Sequence, residues 1–211
     1  MSINRQSQLT TKRDLVNCVK DLYSMGYTSS VSGNHSIRLK NRSWMLITPS
    51  GIPRYEMKDK DLVKVNLQTE KIVGLRKPSI EWHMHALIYK RISTINAIIH
   101  THSPYTLAIV ISAEKFLHII EEAKIVVGDP IVIANKPSGS IALANVVSRI
   151  FESKEKVRAI IIRNHGVVTV GRDIHQARAV VEALEEWAKI LTVSKIFGSP
   201  KYKLGHRFIS P

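Results

Sequence analysis

"INAIIHTHSPYTLAIVIS", residues 95–112, decides how the chain folds. Its first half, "INAIIHTH", is a short apolar run that ends in two histidines and reads as a buried strand. Its second half opens on Ser103-Pro104, a capping residue followed by a proline suited to a first helical position, and "SPYTLAIVIS" reads as a helix. In an extended strand, residues i and i+2 point to the same side, roughly 6–7 Å apart along the chain. His100 and His102 can therefore converge on one ion. A catalytic zinc needs three protein ligands and one open position, so a third imidazole is the test of that idea.

The best candidate is His165, in "VRAIIIRNHGVVTVG", residues 157–171, a strand, a polar turn and a strand. "AIIH" and "AIIIRNH" are built alike, which suggests two strand ends at one rim of a sheet. A lone surface histidine is the plainer alternative. A second H-x-H lies in "PSIEWHMHALIYKRI", residues 78–92, which reads as a helix with Pro78 and Ser79 in its first turn. On a helix, His83 and His85 stand about 200° apart and cannot share a metal. Glu81 and His85 do share a face, so His85 is taken as the polar partner on that face and His83 as exposed. Glu81 sits where a helix start favours an ionised carboxylate and could reach a metal at the rim; an ordinary exposed glutamate is the alternative. His35, His118, His175 and His206 show no convergence in the sequence.

Outward from these segments, "LTTKRDLVNCVKDLYSMGY" reads as an opening helix capped by Thr10 or Thr11 and ended by Gly26. "HSIRLK", "SWMLITPSG" and "DLVKVNL" are strand-like pieces separated by turn residues, which implies an antiparallel meander. "GSIALANVVSRIFES" is a helix capped by Ser140, and residues 173–198 form a long C-terminal helix capped by Asp173 and stopped by Gly198. Strands and helices interleave without regular βαβ spacing. The fold expected is an α/β sandwich, a largely antiparallel central sheet covered by helices.

The chain has 211 residues, enough for one substantial core, and no internal linker divides it, so a single domain is expected. No apolar run is long enough to span a bilayer, and "MSINRQSQLTTKRD" lacks the apolar segment of a secretory leader. The one cysteine, Cys18, excludes an internal disulfide framework and fits a reducing cytoplasm. Lys and Arg number 31 against 17 Asp and Glu, a net charge of +14. The basic residues are dispersed without aromatic interleaving, which points to small anionic substrates rather than nucleic acid. Small polar turns suit that chemistry: "SGN" at 32–34, "TPSG" at 48–51 and "PS" at 78–79 offer the N–H groups, hydroxyls and side-chain amide that an oxyanion needs.

Taken in order, "SGNHSIR", "LITPSGI", "KPSIEWHMH", "IIHTHSP" and "RNHGVVTVG" closely resemble the successive motifs of the class II aldolase/adducin-type family. The resemblance runs from about residue 10 to about residue 195, leaving 198–211 as a tail. It implies a three-layer α/β/α domain with one zinc per subunit held by His100, His102 and His165. It also implies that Glu81 is a ligand in the resting site and a general acid/base once substrate displaces it. Asn34, Ser50, Gly51 and Ser79 match the family's phosphate-binding positions. A homotetramer with sites at subunit interfaces is implied as well.

The activity implied is lysis of a ketose 1-phosphate, such as L-fuculose 1-phosphate, to dihydroxyacetone phosphate and a small aldehyde. Sugar-phosphate dehydratases, 4-epimerases and non-catalytic adducin-like interaction modules share the family. Glu81 stands where the epimerases carry aspartate. The intact set of Glu81 and three histidines argues against a module that only binds partners. Two departures stand out. Ile80 replaces a second serine of the aldolases, and the position of their proton-donating tyrosine falls near Glu121, with Tyr202 in the tail the other tyrosine in question.

Overall fold

The computed structural model describes residues 2–198 and 200–204, with side chains from Thr11 onward. Helix α1 spans Ser2–Ser24 and is followed by the strands β1 (Asn34–Arg38), β2 (Trp44–Ile47), β3 (Val63–Asn66) and β4 (Ile72–Val73). Next come α2 (Trp82–Arg91), β5 (Ala97–Thr101), α3 (Pro104–Ile111), α4 (Glu121–Val126) and β6 (Ile131–Ile133). The chain then forms α5 (Ile141–Ser153), β7 (Ala159–Ile162), β8 (Gly166–Gly171) and α6 (Ile174–Ile196). The strands form one sheet in the order β4-β3-β2-β1-β5-β8-β7-β6. Every neighbouring pair is antiparallel except β6 and β7.

Strand alternation sorts the apolar residues into two cores, one on each face of the sheet. Ile98, Ile160, Ile162, Val168 and Val170 pack with α2 and α5 through Met84, Ile88, Leu143, Val147 and Phe151. Ala97 and Ile99 pack on the other face with α1 and α6, through Leu15, Val19, Leu22, Ala177 and Val181. Ile161 and Val167 meet Leu184 and Trp187 of α6 on that same face. Helices cover both faces, so central strands such as "AIII" are apolar at every position. The three-layer arrangement and the meander of β1 to β3 agree with the sequence reading.

Several local expectations do not hold. Helix α1 begins at Ser2, not at a cap on Thr10 or Thr11. No Gly or Pro stands between Ser2 and Leu9 to force a later start, and both threonines lie inside the helix. Helix α2 begins at Trp82, so Pro78 and Ser79 are not in its first turn and Glu81 holds the cap position. The backbone there is committed elsewhere: Pro78 bridges Pro49, Ser50 N–H donates to Lys77 C=O, and Ser79 N–H donates to Thr48 C=O. Ser103 precedes α3 as expected, but its hydroxyl pairs with Thr101 Oγ1 at 2.8 Å. The buried Glu185 of α6 caps that helix instead, accepting from the N–H groups of Tyr105 (2.8 Å) and Thr106 (2.9 Å). Ser140 and Asp173 cap α5 and α6 through their side chains, as the sequence indicates.

Among the wholly buried histidines, two belong to this framework. Among the described residues His35 has no hydrogen-bond partner on either ring nitrogen, and His85 contacts Ser36 Oγ at 2.6 Å through Nδ1. Burial, before any charge effect, pulls both below the ordinary value of 6.5, His85 to about 3. Both stay neutral in the folded chain while the unfolded chain protonates them below that ordinary value. The stabilisation from neutral His85 is complete above about pH 6.5 and is lost as pH falls toward about 3, at ~1.4 kcal/mol per pH unit; His35 acts in the same direction. Urea titrations at pH 6.5 and pH 5 should therefore differ by about 2 kcal/mol from His85 alone, with His35 adding in the same direction. Equal unfolding free energies at the two pH values would contradict neutral burial.

Candidate active site

Three neighbouring strands build the site. β5 and β7 run the same way with β8 paired antiparallel between them, so the end of β5 and the turn after β7 share one rim. That turn spans 163–165, and Asn164 takes a φ of 59°, a left-handed conformation asparagine tolerates. His165 is thereby presented beside His100 and His102. The ring centroids are 5.2 Å apart for His100–His102, 4.9 Å for His100–His165 and 5.5 Å for His102–His165. One ring nitrogen from each lies within 4.8 Å of the others.

Room for the cluster comes from Gly166. A Cβ there would lie 2.7 Å from His100 Cε1, 2.9 Å from His102 Cδ2 and 2.5 Å from the Thr101 carbonyl oxygen. Gly33, with φ at 71°, is required for a similar reason, since a Cβ would meet the His100 carbonyl oxygen at 2.6 Å.

His100 is fully buried, and its Nδ1 donates to the carbonyl of Val167 at 2.9 Å. That bond fixes the tautomer and leaves a lone pair on Nε2, aimed into the cluster. Glu81 faces it: Oε2 is 3.1 Å from His100 Nε2, and Oε1 is 3.3 Å from His165 Nε2. Asn34, directly opposite His100 in the β1–β5 register, donates its amide to Glu81 Oε2 at 2.8 Å. Burial is the largest influence on Glu81 and opposes ionisation. Positive charge at the His100 and His165 ring nitrogens, together with the Asn34 amide, outweighs it and holds the carboxyl well below its usual range; with the rings neutral, a bound cation is what supplies that charge. Burial, reinforced by the neighbouring rings, lowers His102 to about 4 and also lowers His165. His102 is neutral at pH 7, the form that binds a metal.

The residues fit a divalent cation. Among the described residues, His100 Nε2, Glu81 Oε1 and His165 Nδ1 are buried without a hydrogen-bond partner. A lone pair on His100 facing a carboxylate oxygen at 3.1 Å is repulsive unless a cation lies between them. Three imidazoles and a carboxylate form a donor set suited to zinc.

Beside the cluster opens a cleft of about 340 Å³. Asn34, Ser50, Gly51 and Ser79 all line it, together with Glu81, His102 and His165. Ser50 Oγ donates to Pro78 C=O at 2.9 Å, and Ser79 Oγ accepts from Glu81 N–H at 3.3 Å, so the two turns brace each other and Glu81. The sequence-derived set thus occupies one place. Other expectations change. His85 hydrogen-bonds Ser36, itself 2.8 Å from Tyr89 OH, rather than Glu81. His83 is half-buried and stacked on Trp82 at 3.7 Å, not exposed. Glu121 and Tyr202 are exposed and do not line the cleft. His118 pairs with Asp129 at 3.0 Å, away from the cleft, and His206 lies outside the described residues.

Three contributors escaped the sequence reading. Ser138 Oγ lies 3.2 Å from His165 Nε2, and the Val167 carbonyl orients His100. Arg54, 2% exposed, lines the cleft. The first two are set by tertiary approach, for which a sequence carries no local signal; Arg54 is visible only as a charge four residues past a turn.

Comparison with known proteins agrees with this geometry. The profile of the Class II Aldolase and Adducin N-terminal domain matches residues 13–192. A 5-deoxy-D-ribulose 1-phosphate aldolase of Bacillus thuringiensis serovar kurstaki is 34% identical over 90% of this chain and 88% of that enzyme. An L-fuculose phosphate aldolase of Methanococcus maripaludis is 38% identical over 84% of this chain and 95% of that enzyme. A solved L-fuculose 1-phosphate aldolase superposes with a TM-score of 0.81 at 31% identity, covering 93% of this chain and 91% of that one.

The space left by Gly166 is testable. A Gly166→Ala variant should keep its circular dichroism spectrum but bind zinc at least about tenfold more weakly by isothermal titration, because two ligand rings are displaced. Wild-type affinity in that variant would show that the rings do not depend on this contact.

Proposed function

This chain belongs to the class II aldolase and adducin family, and from that premise we propose that it is a zinc-dependent aldolase. Its substrate in this reading is a ketose 1-phosphate such as L-fuculose 1-phosphate or a 5-deoxypentulose 1-phosphate. The products are dihydroxyacetone phosphate and a small aldehyde. The observation that carries the reading is the meeting of three imidazoles and one carboxylate at the mouth of a cleft lined by small polar turns. The names of the relatives support the substrate class.

Each residue has a part. His100, His102 and His165 hold the zinc, with Glu81 a further ligand before substrate arrives. When bound, zinc supplies Lewis-acid polarisation of the substrate ketone, with no need for a Schiff-base lysine. Asn34, Ser50, Gly51 and Ser79 take the phosphate and so fix the three-carbon half beside the cluster. Ile80 has no hydroxyl to offer, which leaves the phosphate one side-chain contact fewer. Glu81, ionised at rest, takes the proton of the hydroxyl on the carbon beyond; that oxygen's electron pair closes the aldehyde carbonyl as the carbon–carbon bond next to the ketone breaks, and the bond's pair stays with the three-carbon half. Glu81 returns a proton to that carbon, and in the synthetic direction removes it. Its strongly acidic carboxyl suits the resting, ionised state, and the Asn34 amide keeps Oε2 aimed.

We further read the enzyme as a single-domain, cytoplasmic homo-oligomer. No helix among the described residues is long and apolar enough to cross a membrane. Val31 and Ile80, both more than half exposed beside the cleft, are apolar surface that a second subunit would cover.

A coupled assay for dihydroxyacetone phosphate across ketose 1-phosphates, on zinc-replete protein, tests the reaction. Glu81→Gln should retain zinc and lower kcat by about 10²–10⁴-fold. Substrate consumption without triose phosphate would replace the aldolase reading with a dehydratase or epimerase. Full turnover by Glu81→Gln would remove its acid/base role.

A further inference from the structure

Arg54 is an arginine buried without an acid. Its guanidinium lies 2% exposed under the cleft, and among the described residues no carboxylate comes within ion-pairing distance. Its partners are five backbone carbonyls. Nη2 donates to Gly33 at 2.5 Å and Val31 at 2.9 Å, and Nε to Ser32 at 3.1 Å. Nη1 makes longer contacts to Pro49 at 3.4 Å and Ile52 at 3.5 Å. One side chain thus gathers the turn that leads into Asn34 and both ends of the turn that carries Ser50 and Gly51.

Two consequences follow from elementary chemistry. A trans peptide sets the N–H of the next residue opposite each carbonyl, so the N–H groups of Ser32 and Gly33 face away from the guanidinium. Successive outward N–H groups of this kind make an anion-binding concavity. The hydrogen bonds satisfy the donors but do not neutralise the charge, and a buried cation is costly unless an anion compensates it. Burial lowers Arg54 only to about 10, so the charge persists at neutral pH. Glu81 lines the same cleft but is held by Asn34 and faces His100 and His165.

We propose that Arg54 is a positioning residue for the phosphate end of the substrate: it holds the 31–33 and 49–52 turns in an anion-accepting shape and leaves a positive charge for the incoming phosphate to neutralise. This rests on the phosphate occupying that cleft, as proposed above. Arg54 acts through the turns and through its field, because its own donors are already committed. Substrates lacking the phosphate leave that charge uncompensated, so Arg54 discriminates for phosphorylated ketoses.

The test uses the full-length, zinc-replete enzyme, with inorganic phosphate as the probe. Arg54→Met should raise both the KM for the ketose 1-phosphate and the inhibition constant of inorganic phosphate by about tenfold or more. Zinc content should be retained, and kcat should change far less than KM. Arg54→Lys keeps the charge but loses the fork, and should fall between wild type and Met. If Arg54→Met does not fold, Arg54→Lys decides: a rise of about threefold in both constants supports the proposal, and unchanged constants overturn it. A folded Arg54→Met with unaltered KM and phosphate inhibition, or with lost zinc and unaltered phosphate inhibition, overturns it too. If the wild type itself ignores inorganic phosphate and cleaves an unphosphorylated ketose equally well, the phosphate reading of the cleft falls and Arg54 falls with it. Phosphate inhibition of the wild type beside an unaltered variant removes the role of Arg54 alone.

Discussion

The hydrogen bond from His100 Nδ1 to the Val167 carbonyl ties the three-histidine cluster to the sheet. It forms because β5 and β8 pair in one register, with His100 opposite Val168 and Thr101 opposite Val167. A slip of one residue would carry a strand's side chains to the opposite face of the sheet. The two apolar residues before His100 enforce the register, since Ile98 must enter one core and Ile99 the other. The same pairing puts Gly166 against the two rings, where any larger residue would collide. Hydrophobic patterning therefore sets the geometry of the polar cluster.

That dependence explains what was legible in the sequence. The alternation in "AIIHTH" placed His100 and His102 on one side of a strand, and the matching "AIIIRNH" placed His165 at a like end. Both readings use local periodicity, which strands obey when buried on both faces. The caps at Ser140 and Asp173 were equally local. The short elements were not: β4 is two exposed residues held by pairing with β3, and α4 is six residues held against α6 by Ala123 and, just past its end, Val127. Neither has a pattern long enough to announce itself. The start of α2 is not legible, because "KPSI" looks like a helix opening while its backbone is taken by the turn at 48–50. His85 was misassigned because sharing a helical face with Glu81 says nothing about Ser36, 49 positions away in sequence.

The electrostatics are arranged in layers. The net charge of +14 draws anions to the molecule in general. Inside the cleft the charges are few and separate: an ionised Glu81 on the imidazole side and Arg54 beneath the turns. His102 is neutral at pH 7, so a metal ion is not opposed by ligand protons there. A cation at the rim and a phosphate over the turns would each complete a charge that the fold leaves open. Capping of α3 by Glu185 anchors the segment that follows His102, which couples α6 to the site from the opposite face of the sheet.

Zinc K-edge X-ray absorption on the zinc-loaded enzyme tests the convergence of the three rings most directly. Three imidazole nitrogens at about 2.0–2.1 Å, with an oxygen ligand completing the shell, are expected, and the imidazole count should fall to two in a His165→Ala variant. One or two imidazoles in the wild type, or a spectrum unchanged by loss of His165, would contradict a site assembled from the ends of β5 and β7.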